Sequence, residues 1–238
     1  MADQKNVKEV DLGSGSVGKL LFSLALPAIS AQVINVLYNM VDRMYIGHLP
    51  DVGASALTGV GVTFPIIMAI SAFAALVSMG GAPRASIMLG KGRRDEAEKI
   101  LGNCTTALIA VSLILTAVIQ LFGQRILLTF GASGDTIEYA WSYMQIYSIG
   151  TIFVQLALGL NAFINAQGYA RTGMLTVLIG AVCNIILDPI LMFVLHMGVR
   201  GAALATIISQ GISAAFVVMF LVSGKSYLKI RIPCLKVE

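Results

Sequence analysis

Charged side chains are scarce in this sequence. Asp, Glu, Lys and Arg make up 12% of its 238 residues and apolar residues 57%, with a mean hydropathy of +0.86. That is about half the charge of an ordinary soluble domain. So few polar groups cannot cover a globular surface in water. Cysteine is rarer still. Cys104, Cys183 and Cys234 are scattered, with no C-x-x-C pair, which excludes a zinc or disulfide framework. Cys104 and Cys183 lie in apolar runs and read as small packing residues. No Lys/Arg patch is interleaved with aromatics, so the net charge of +4 does not point to nucleic acid. The polar stretch from Met1 to Lys19 lacks the apolar core and cleavage site of a signal peptide. Gly13-Ser-Gly-Ser-Val-Gly18 matches G-x-G-x-x-G, but no strand precedes it, so it reads as a linker.

What the sequence does have is long apolar runs. They span Leu20–Ile46, Ala54–Met79, Ile100–Phe122, Ala140–Ile164, Met174–Leu195 and Ala202–Val222. Each is about the 20 residues a membrane crossing needs. None shows the strict alternation of a barrel strand, so helices are the reading that satisfies the backbone in lipid. The expected fold is an all-α membrane protein, a bundle of six transmembrane helices. A polar tail covers 1–17, the bundle 18–224, and a basic segment 225–238. Of the 16 Lys and Arg, 13 fall on one side of this topology and 3 on the other. The positive-inside rule then puts both termini of the chain in the cytoplasm. A weak internal echo links His48 to Leu57 with His196 to Leu204: each has Gly-Ala five residues after the His.

Only Asp42, Arg43 and Asp188 carry charge inside the proposed spans. A carboxylate at the bilayer centre costs about 2.5–3.5 kcal/mol on insertion scales, so such groups mark function. At about 100° per residue, Gln32, Asn35, Asn39 and Asp42 fall in one sector of about 80°. Asn184 and Asp188 are four apart and share a face, as do Asn161 and Asn165. Thr206, Gln210 and Ser213 form another stripe, and Tyr143 and Tyr147 could line a cavity through the fourth span. Hydrogen bonds between helices, at about 0.6 kcal/mol each, account for isolated Ser and Thr. They account less well for two acids beside several Asn, for which a water-filled cavity is expected. Pro189 cannot donate to the carbonyl of Ile185, so a kink is expected there, and Pro27 and Pro65 free carbonyls likewise.

Several stretches together resemble the multidrug and toxic compound extrusion (MATE) transporters. They are Leu26-Pro27, Tyr38 to Gly47 with Asp42, Gly53-Ala-Ser-Ala-Leu57, Asn161 with Ala166-Gln-Gly168, Asn184 to Pro189, and Gly201 to Thr206. The resemblance runs from about Gly18 to Gly224. It implies one lobe of a twelve-helix exporter, continuing into a C-terminal lobe of the same transporter. It implies exchange of drugs or organic cations for sodium ions or protons across the cell membrane. It also implies a cation or proton site at the positions of Asp42, Asn184, Asp188 and Thr206, a sodium ion being the candidate metal, with Asn161 associated. Gln32, Asn35, Asn39, Tyr143 and Gln210 would line the cavity, and Pro27 and Pro189 would bend their helices. No cofactor is expected beyond the coupling ion, and no enzymatic activity.

One departure from the family pattern is Arg43, which follows the first-helix acid. It lies about 100° round the helix from Asp42 and is expected at the outer interface. If it faced the site, it would disfavour a second cation and tilt the coupling towards protons. A lipid-linked precursor flippase of related fold would want a strongly cationic cavity. An intramembrane aspartyl protease would want Gly-x-Gly-Asp, which Ala132-Ser-Gly134-Asp135 misses.

Overall fold

A computed structural model describes residues 17–223 and 226–230. The N-terminal tail, Cys234 and most of the basic C-terminal segment lie outside the described residues. The chain forms α1 (Val17–Gly47), α2 (Gly53–Gly90), α3 (Arg94–Thr129), α4 (Ile137–Ile149), α5 (Thr151–Ala166), α6 (Ala170–Pro189), a π-helical turn (Ile190–Val194) and α7 (Val199–Val222). No strand occurs among the described residues. Five spans are long and apolar enough to cross a membrane, and α4 with α5 makes a sixth, bent by 59°. The chain is therefore a multi-pass, all-helical membrane protein.

The helices outrun the apolar segments at the end that carries Arg84, Lys91, Arg93 and Arg94, called here the basic end. There α2 continues past Met79 to Gly90, and α3 begins at Arg94, inside the stretch expected as a connector. Apolarity marks where lipid ends. A helix is held by its own backbone bonds and continues beyond that point. Asp95 and Glu96 in the first turn of α3 favour its N-terminus, and Arg94 Nε donates to Glu98 Oε1 at 2.9 Å one turn on.

Pro189 lies at the end of α6, and the chain passes from it directly into the π turn, the two together forming one span from Ala170 to Val194. Pro27 and Pro65 sit inside α1 and α2, which run on as single helices. The two echoed glycines have a common role. A Cβ at Gly53 would strike the carbonyl of Gly47, and one at Gly201 would lie 2.7 Å from the carbonyl carbon of Leu191. Both turns at the end opposite the basic end, called here the far end, close backbone against backbone.

The core comes in two parts. One, at the far end, includes Ile46, Ala56, Val60, Ile70, Met144, Val199 and Ala203. The other, at the basic end, includes Ala82, Leu101, Leu108, Phe163, Val217, Leu221 and Leu228. Between them on α7 lie Thr206, Ser209 and Ser213, all buried. On α5, buried Gln155 lies between Val154 and Leu160, and on α3, Ser112 between Leu108 and Ile119. The bundle thus has a polar layer about midway along its length.

Leu228 belongs to the core although it follows α7. The chain folds back so that Leu228 N and Ser226 Oγ both donate to Gln167 Oε1, each at 2.9 Å. Lys229 N donates to Glu98 Oε1 at 3.4 Å.

Candidate functional site: a polar cavity beside two buried acids

α1 packs mainly on α6 and touches α2 and α7 lightly. This pairing decides the site. It buries Asp42, 8% exposed, on the side of Asp188, 0% exposed, so that each carboxyl lies in the other's electrostatic field. One turn before Asp188, Asn184 Nδ2 donates to Asp188 Oδ1 at 3.2 Å and reaches Thr206 Oγ1 at 3.5 Å. Thr206 in turn donates to the Ala202 carbonyl at 3.0 Å and meets Tyr143. Asp42, Asn184, Asp188 and Thr206 therefore form one cluster, drawn from α1, α6 and α7.

The cluster borders a cavity of about 790 Å³, within the usual range for small-molecule sites. The whole α1 stripe lines it: Gln32, Asn35, Asn39 and Asp42. Tyr143 and Gln210 line it as well, and Tyr143 stacks on Tyr147 with centroids 5.9 Å apart. Asp188 is not among the lining side chains and lies behind Asn184. Asn161 lines the same cavity but stands apart from the acids. Its Nδ2 donates to the Gly173 carbonyl at 3.1 Å and to Thr176 Oγ1 at 2.9 Å. Thr176 precedes Asn184 by about 12 Å of helix.

Hydrogen bonding leaves an uneven remainder. Buried oxygens without a partner include Asp42 Oδ1, Asn184 Oδ1, Asp188 Oδ2, Asn161 Oδ1 and Ser209 Oγ. The two carboxylate and two amide oxygens accept and do not donate. A buried polar atom without a partner is uncommon and marks a place where something else binds. The unpaired oxygens of Asp42, Asn184 and Asp188 make an all-oxygen set in one place, which suits a proton, or a hard cation such as sodium.

Arg43, expected at the outer interface, borders both the far-end surface pocket of Met44, Gly47, His48 and Leu57 and the central cavity. Its guanidinium lies 5.0 Å from the Phe64 ring centroid. Side chains lean towards the start of their own helix, and α1 starts at the basic end, so the stem of Arg43 is aimed into the bundle. Tyr38 was absent from the stripe read in the sequence. It stands one turn before Asp42, reaches Gln210 and lines the cavity. Its spacing of four from Asp42 was the available signal.

The family model described as MatE matches residues 27–190. The chain is 30% identical over 205 residues to the multidrug export protein MepA of Staphylococcus haemolyticus, covering 86% of this chain and 45% of that one. It is similar to a crystal structure of a MATE protein in complex with MaD3S, with a TM-score of 0.86 and 26% identity, over 96% of this chain and 51% of that one. It is also similar to a MOP superfamily transporter from Pyrococcus furiosus, described as having a binding pocket of reverse polarity. There the TM-score is 0.87 and the identity 25%, over 98% of this chain and 51% of that one. The chain thus spans about half the length of the relatives it matches. On this match of family model and relatives, the chain belongs to the MatE family.

Proposed function

We propose that this chain is the N-terminal lobe of an antiporter that exports drugs or organic cations in exchange for a proton or a sodium ion. The carrying observation is the cluster of Asp42, Asn184, Asp188 and Thr206, with unpaired oxygens on both acids and on Asn184. Two carboxylates with so few donors are costly to keep as bare anions in a low-dielectric interior. A bound proton or cation removes that cost. Arg43 near Asp42 adds a permanent positive charge, which opposes any further positive charge there, proton or metal cation alike. The positions of Lys and Arg support cytoplasmic termini for this chain, so the cluster lies nearer the outer side.

The loading step has a natural mechanical consequence. Between Pro27 and Asp42 no residue of α1 is buried, and α1 leans mainly on α6. It is the span that can shift at least cost in lost packing. Neutralising Asp42 and Asp188 removes the charge that anchors the α1–α6 contact to bound substrate. α1 then repacks, substrate leaves outward, and the two lobes exchange access.

Dye efflux from cells expressing the protein at the length its gene encodes tests this. Asp42→Asn and Asp188→Asn should each lower efflux at least tenfold with membrane insertion intact. Efflux at the normal rate in both variants would overturn the assignment. Imposing a pH gradient or a sodium gradient alone then identifies the coupling ion.

A further inference from the structure

Among the described residues, Arg43 is the one basic side chain that lines the cavity. It makes no hydrogen bond or ion pair there beyond its stacking on Phe64 and the charge it shares with neighbouring Asp42. Its direction is informative. Arg43 is about 6 Å of helix from the far end of α1 at Gly47, whereas Phe64 is about 16 Å from the start of α2 at Gly53. Those two ends are level, because Gly53 N donates to the Leu49 carbonyl at 3.0 Å across the turn. The guanidinium has therefore turned inward to Phe64. An arginine of this reach could instead have extended to the interface and its water.

A guanidinium stacked on an aromatic ring has one face covered, and its N–H edge stays free for an acceptor. That edge offers parallel donors matched to a carboxylate. The same cavity holds the complementary charge, Asp42, and an apolar wall that includes the stacked Tyr143 and Tyr147.

We propose that Arg43, backed by Phe64, is an anion-receiving point of the cavity, so that the chain takes zwitterionic aromatic substrates whose carboxylate pairs with Arg43 while their cationic group faces Asp42. This rests on the exporter reading for the direction of transport but not for binding. When a proton or cation loads the acids, the hold on the cationic group is lost. The substrate then keeps only its contact with Arg43.

A matched pair of dyes tests it: a rhodamine with a free carboxylate and the methyl ester of the same rhodamine. Their affinities are measured by fluorescence anisotropy on the full-length protein in lipid nanodiscs. In the unsubstituted protein the carboxylate dye should bind at least as tightly as its ester. Arg43→Gln should weaken the carboxylate dye at least tenfold and tighten the ester, whose only charge is then free of repulsion. Arg43→Lys, which keeps the charge and loses the fork, should fall between. An ester that binds more tightly to the unsubstituted protein would overturn the proposal, with no variant needed. So would Arg43→Gln moving both dyes in the same direction or neither. If Asp42→Asn and Asp188→Asn leave efflux intact while the Arg43 discrimination holds, the coupling reading fails and this one stands.

Discussion

Asn184 donates to Asp188 and reaches Thr206, so one side chain joins α6 to α7 at the acid cluster. Replacing it with Leu keeps the volume and removes the donor. We expect Asn184→Leu to raise the coupling-ion concentration needed for half-maximal efflux about tenfold, as loss of a hydrogen bond to a charged group of about 1.5 kcal/mol would. A titration of efflux against external pH or sodium reads this. Asp188 illustrates the conflict between function and stability. It is fully buried with Oδ2 unpaired, and replacing a buried charge by an apolar group of similar size is often stabilising. Asp188→Leu should raise the thermal unfolding midpoint in detergent by a few degrees, about 1 kcal/mol, while abolishing efflux. A lower midpoint would mean that the acid is structurally satisfied.

At the scale of elements, the fourth span is the one whose form the sequence concealed. Its apolar run from Ala140 to Ile164 reads as one helix, yet it breaks at Gly150 into α4 and α5, at 59°. Gly150 is at the break because α7 comes too close for any side chain: a Cβ there would run into Ile207. The backbone loosened by the break is bonded from α3. Thr116 Oγ1 donates to the Ser148 carbonyl at 2.7 Å, and Gln120 Nε2 to the Gln145 carbonyl at 2.8 Å. Gly150→Ala should destabilise the protein by about 1–3 kcal/mol through overpacking. Adding Ile207→Ala should recover much of that, and a double-mutant cycle in detergent unfolding measures the coupling. Additive effects would show that the two residues do not meet. A single glycine after Ser148 was a signal for a kink, but a weak one in a chain with 24 glycines.

For the whole molecule, the return of the chain after α7 matters most. Glu98 near the start of α3 and Gln167 just after α5, both at the basic end, hold residues 226–230, and Leu228 is 0% exposed. Residues 226–230 are fastened to the bundle, so their motion follows it. Gln167→Ala removes the acceptor of both Ser226 and Leu228. We expect the Leu228 amide to exchange hydrogen at least tenfold faster in that variant, measured by mass spectrometry. Unchanged protection would show that apolar burial of Leu228 suffices to seat the segment.

Apolar runs long enough to span lipid determine six crossings by themselves, because every backbone group in a membrane must be satisfied within its own helix. The polar stripe from Gln32 to Asp42 and the Asn184–Asp188 pair were legible for the same local reason: helical spacing alone assigns residues to a face. No local rule says which faces meet. The packing of α1 on α6, which brings Asp42 to Asp188, was decided by tertiary structure. So were the inward turn of Arg43 onto Phe64, the bend at Gly150 and the seat for Leu228. Each depends on what a distant segment places opposite, and spacing along one helix carries no record of that.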